Sequence, residues 1–88
     1  MAISHPPYYQ WHFEIIHIED IVERIKEEWD PERVAELVKS ISENGLKQPL
    51  QVYPAGNGTY EIDDGNHRLK ALKQLGWKEI PCMVFDVY

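Results

Sequence analysis

The sequence predicts a small α+β domain with a mixed sheet, one hairpin and two main helices, and three observations carry that reading. Val34, Leu37, Val38 and Ile41 recur at helical spacing between an Asp30-Pro31 start and an Asn44-Gly45 stop. Two short β-prone runs, 50–53 and 59–63, flank a turn-forming Pro54-Ala55-Gly56-Asn57-Gly58. A second helical pattern, 66–75 with Leu69, Leu72 and Leu75, stops at Gly76 and precedes an apolar run, 80–85.

Taken in order, residues 1–12 hold Pro6, Pro7, Tyr8, Tyr9 and Trp11. That content suits an extended arm laid on the core or on a partner chain, because disorder favours few aromatics. Phe13 and Ile15 alternate with Glu14, so 13–18 reads as a strand; 21–29 is helical in composition but mixed in pattern, a short helix or a loop. In the helix over 31–43, Asp30 serves as N-cap and Pro31 opens the first turn, where a missing N–H costs nothing. The domain proper is therefore taken as 13–88, preceded by the arm 1–12.

With 88 residues the chain makes one domain. It buries roughly 60–65% of its unfolded surface, enough for one core and a shallow surface site rather than an enclosed one. No apolar run is long enough to span a bilayer, and the first residues lack a signal-peptide order, so a cytoplasmic protein without membrane contact is expected. A single cysteine, Cys82, excludes an intrachain disulfide and a multi-cysteine zinc site; its apolar strand makes it a buried small residue. His5, His12 and His17 lack a spacing that would pair them on a metal. The net charge of −6 disfavours DNA, whose affinity for proteins comes largely from Lys and Arg. That charge is uneven: 19–43 carry −5, whereas 44–88 are neutral. Arg68, Lys70 and Lys73 crowd one segment, either a local anion site or a solvated basic face.

The run Asp63-Asp64-Gly65-Asn66-His67-Arg68 stands at a strand-to-helix junction. Gly65 allows a sharp turn, Asn66 is a favoured N-cap, and the first-turn amides with the positive end of the helix dipole favour an anion. His67 and Arg68 add donors, the guanidinium fork matching phosphate oxygens. With Ile62 facing the core, Asp63 points away and Asp64 begins the turn, where it would hold Mg²⁺ bridging to phosphate. The plain alternative is a capped helix with a solvated His and Arg.

Three blocks carry a family resemblance: Asp30-Pro31-Glu32-Arg33-Val34 through Ser40-Ile41, then Asn44-Gly45-Leu46-Lys47-Gln48-Pro49, then Ile62-Asp63-Asp64-Gly65-Asn66-His67-Arg68-Leu69. In order and spacing they resemble the ParB/sulfiredoxin superfamily over 13–86. The resemblance implies a nucleotide-binding domain in which Gly65, Asn66, His67 and Arg68 cradle the phosphates of ATP, ADP or CTP with Mg²⁺. The Gly45-Leu46-Lys47-Gln48-Pro49 segment and the helix bearing Arg33 and Ser40 would form the opposite wall. Where sulfiredoxins carry a catalytic cysteine this chain has Asn66, which cannot serve as a thiolate nucleophile, so sulfinic acid reduction is not expected. ParB proteins usually have Gly-Glu-Arg-Arg at the turn. The free-serine kinase branch has Asp-Gly-His-His-Arg, one residue from Asp64-Gly65-Asn66-His67-Arg68. By that likeness Asp64, with Glu27 or Glu28 as general base, would serve a kinase or NTPase. The alternatives are a ParB-like DNA-associated partition or regulatory module or nuclease, and a protein-interaction module with a degenerate nucleotide site, forming a homodimer or larger complex through the aromatic arm.

Overall fold

The computed structural model describes residues 9–23 and 30–87. Its strands are β1 (Tyr9–His17), β2 (Ile21–Val22), β3 (Leu50–Gly56), β4 (Thr59–Asp64) and β5 (Glu79–Val87), and its helices are α1 (Pro31–Asn44) and α2 (Asn66–Gln74). A 3-10 turn, Ile18–Asp20, joins β1 to β2. The sheet order is β1-β5-β3-β4-β2; β1–β5 and β3–β4 pair antiparallel, β3–β5 and β2–β4 parallel. The α+β architecture read from the sequence is the one observed.

Strand register explains the core. Ile16 lies opposite Ile80, Leu50 opposite Cys82, and Val52 between Val84 and Ile62, so these side chains share one face. All are buried together with Val34 and Ile41 of α1 and Leu69, Ala71 and Leu72 of α2. Each large side chain there contributes about 1.5–3 kcal/mol by leaving water. Trp11, Phe13 and Ile15, one residue out of phase, face away from the helices and remain exposed. Pro81 fits within β5 because pairing with β3 begins only at Cys82, so its missing N–H breaks no β3–β5 bond.

Several boundaries differ from the sequence reading. β1 begins at Tyr9, so residues 9–12 belong to the sheet rather than to a separate arm. The physical reason is Trp11, which lies opposite Phe85 and packs on it with ring centroids 4.9 Å apart. Within 21–29, Ile21 and Val22 form a short strand beside Tyr60 and Glu61 instead of helix. The hairpin turn is also tighter: β3 continues to Gly56, and Asn57-Gly58, both at positive φ, close it. Residues 1–8, 24–29 and 88 lie outside the described residues, and the candidate bases Glu27 and Glu28 are among them.

Candidate functional site

The α2 turn departs from a standard cap. Gly65, not Asn66, is the N-cap, with φ 117°, and no side chain caps the helix. Asn66 is instead the first helical residue and is buried, at 6% exposure. Gly65 is required twice over. Its φ lies where an L side chain is strained, and a Cβ there would meet Arg68 Nη2 at 3.1 Å and Leu50 Cδ2 at 3.2 Å. The guanidinium therefore lies directly against the turn. Arg68 Nη1 also donates to the Gln48 carbonyl at 3.2 Å, tying α2 to the segment that follows α1.

His67 makes the second tie. Its Nε2 accepts from the Asp30 backbone N–H at 3.2 Å, and Asp30 caps α1 by accepting from the Glu32 N–H at 3.0 Å. The starts of α1 and α2 thus meet through one imidazole. Beside Arg68 opens a shallow cleft of about 290 Å³, lined by Leu37, Ser40, Ile41, Leu46, Lys47 and Gln48 among others. Its lining combines apolar side chains with the cations Lys47 and Arg68.

Among the wall residues named from the sequence, Ser40 and Gln48 line this cleft, whereas Arg33 and Pro49 do not. Arg33 is exposed on the first turn of α1, and Pro49 is half-buried just before β3. Asp64 is the last residue of β4, opposite Gln51, rather than the first of the turn. Leu46 and Lys47, within the expected wall segment, also line the cleft, whereas the apolar Leu37 and Ile41 were not singled out as site residues. Leu37 and Ile41 are signalled in the sequence only as core positions, because the stripe that faces the sheet also floors the cleft. Among the described residues no three His, Cys, Asp or Glu side chains gather as a metal cage. Mg²⁺ needs none, since it takes one or two carboxylates with phosphate oxygens and waters. Asp63 and Asp64 are the last two residues of β4, just ahead of the α2 turn.

A second polar group lies on the helix-bearing face of the sheet. His12 Nδ1 bonds to Asp86 and its Nε2 to Glu14 at 3.0 Å, while the Tyr60 hydroxyl donates to Glu14 at 2.8 Å. The bond to Asp86, then that to Glu14, holds the imidazole above its ordinary 6.5. The bonds from His12 and Tyr60 hold Glu14 below its ordinary 4.5. Cys82 is fully buried and donates to the Ile80 carbonyl at 3.4 Å; burial pushes the thiol up to about 12, so it is protonated and inert at neutral pH.

Residues 10–88 match the ParB N-terminal domain family. The chain belongs to that family. It is 38% identical over 76 residues, 84% of this chain and 29% of the relative, to an ATP-dependent L-serine kinase from Desulfurococcus mucosus. Among solved structures it resembles sulfiredoxin from Arabidopsis thaliana, with TM-score 0.73 and 31% identity over 83% of each chain. It also resembles a truncated chromosome-partitioning protein ParB from Caulobacter crescentus in complex with CTP-gamma-S. There the TM-score is 0.74 and the identity 29%, over 83% of this chain and 43% of the other. The chain spans 20–29% of the length of such curated relatives as a Geobacillus kaustophilus nucleoid occlusion protein and the serine kinase. No helix among the described residues is long and apolar enough to cross a membrane.

Proposed function

We propose that this ParB N-terminal domain binds a nucleoside polyphosphate, ATP, ADP or CTP, in the cleft between α1 and the Gly65–Arg68 turn. The observation that carries this reading is the placement of Arg68: its guanidinium rests on Gly65, is fixed by the Gln48 carbonyl, and edges a cleft that ends at the first turn of α2. A cation held by a neutral carbonyl at the positive end of a helix keeps its charge for phosphate oxygens. The base and sugar then lie against Leu37, Ile41 and Leu46, with Ser40, Lys47 and Gln48 as polar neighbours. Mg²⁺, held by Asp64 and the phosphates, would neutralise charge on the polyphosphate. His67 adds a donor once its ring turns from Asp30.

Phosphotransfer is the finer step, supported by the likeness to the serine kinase. In it an acceptor hydroxyl oxygen bonds the terminal phosphorus, the bond to the bridging oxygen breaks and the diphosphate leaves; the hydroxyl proton goes to Glu27 or Glu28. Positioning and charge stabilisation suffice for such a transfer. Isothermal titration with ATP, ADP and CTP in Mg²⁺ tests the binding step. Saturable heat that disappears in Arg68→Ala supports it, and silence at millimolar nucleotide sinks it.

A DNA-associated role is the second reading, favoured by the ParB and nucleoid occlusion relatives and opposed by the −5 on residues 19–43. Anisotropy with duplex DNA at two salt concentrations decides it, because phosphate contacts must weaken as salt rises.

A further inference from the structure

We propose that Asn57, at the tip of the β3–β4 hairpin, is a site of spontaneous covalent modification, deamidating through a cyclic imide to aspartate and isoaspartate, while the fold protects Asn44. An asparagine followed by glycine occurs twice in the chain, as Asn44-Gly45 and Asn57-Gly58. In such a pair the backbone nitrogen of the glycine, having lost its proton to a base in solvent, bonds to the side-chain Cγ of the asparagine. The bond from Cγ to the amide nitrogen breaks and ammonia leaves. Water then adds to one of the two imide carbonyls and the ring opens. One water is taken up and one ammonia released, so no oxidant, reductant or other reactant is needed. Glycine hinders the ring closure least, since it brings no Cβ to the attacking nitrogen.

The two pairs share this local chemistry, and the structure separates them. Asn57 and Gly58 are both exposed and close the hairpin at φ 55° and 75°. Asn57 is the one residue other than glycine at positive φ among the described residues, so the backbone rotation that brings the Gly58 nitrogen onto Cγ leaves a strained conformation rather than a relaxed one. The neighbouring hydrogen bond runs from the Thr59 hydroxyl to the Gly56 carbonyl, and among the described residues none holds the Gly58 N–H. Asn44 is the opposite case. It is the last residue of α1, and the Gly45 N–H donates to the Ile41 carbonyl at 2.8 Å. Ring closure there must first break that bond and unwind the end of the helix. Asn66, the third asparagine, is buried at 6% exposure and is followed by His67, whose side chain crowds the attacking nitrogen. Reaction at Asn57 adds one negative charge to the −6 of the chain, and its isoaspartate form adds one methylene to the backbone of a two-residue turn.

Incubation of the whole protein at neutral and mildly alkaline pH, followed by tryptic digestion and fragmentation mass spectrometry, tests the proposal. Peptide 48–68 holds Asn57 and Asn66, and peptide 40–47 holds Asn44. The first should gain about one dalton localised to Asn57, at a rate that rises with pH and exceeds that at Asn44 by about tenfold or more. In guanidinium chloride the rates at Asn44 and Asn57 should converge, because the Gly45 bond is then lost. An Asn57 rate no greater than that of Asn44 in the folded protein, or a ratio that survives denaturation unchanged, overturns the proposal.

Discussion

The two polar clusters of this domain use the same kinds of side chain to opposite ends. In the sheet cluster, His12 lies between Asp86 and Glu14, and Tyr60 takes up another oxygen of Glu14, so each charge meets its complement. At the α2 turn, among the described residues, His67 and Arg68 bond to neutral backbone groups, the Asp30 N–H and the Gln48 carbonyl. No carboxylate among the described side chains pairs with Arg68. A charge satisfied within the fold stabilises it modestly, whereas a cation positioned by a carbonyl remains available to a ligand. The difference supports the proposal that the turn binds the ligand, and it makes the sheet cluster a clamp between β1 and β5.

Breaking the turn should have the largest consequence. Arg68→Ala should weaken nucleotide affinity by about 30- to 100-fold, in keeping with about 2–3 kcal/mol for charge-assisted bonds, and change thermal stability little. Titration calorimetry with a melting curve on the same sample separates the two effects. Gly65→Ala should come next. The strained φ together with displacement of Arg68 should cost about 1–2 kcal/mol of stability and about tenfold in affinity, read by urea denaturation and calorimetry. Removing the clamp with His12→Ala should do the reverse, lowering the melting temperature while nucleotide affinity stays unchanged; loss of affinity there would erase the contrast.

The subtlest effect is pH dependence. His12 titrates above its ordinary 6.5 in the fold, so its contribution is complete below that value and fades as pH rises through the raised one. Glu14 titrates below its ordinary 4.5, so its contribution is complete above that value and fades as pH falls through the lowered one. The melting-temperature gap between wild type and His12→Ala should therefore be widest between pH 4.5 and 6.5 and narrow on both sides. A gap independent of pH would mean that packing, not charge, makes the clamp.

Much of this was legible in the residues, for local reasons. The Asp30-Pro31 start and Gly45 stop of α1 depend on backbone groups within one turn, and they stand where the sequence puts them. Leu69 and Leu72 pack on the sheet as helical periodicity requires. The turn Gly65–Arg68 was recognisable as a candidate anion site because its chemistry is contiguous. Asn66 was misjudged as the cap because its preference for that position is local, whereas Gly65 is selected by the approach of Arg68 and Leu50 from elsewhere in the fold. Residues 9–12 were taken for an arm because their alternation gains meaning only when β5 lies alongside.

The sequence by itself determined the helix stops, the hairpin and the strand-to-helix turn at Gly65, since each rests on residues a few positions apart. Only the tertiary structure decided that Gln48 holds Arg68, that His67 joins the two helix starts, and that His12 meets Asp86 across the β1–β5 pair. Those contacts join residues 20 to 74 positions apart. No spacing rule encodes such pairs; they follow from strand order and from how two helices lie across one sheet.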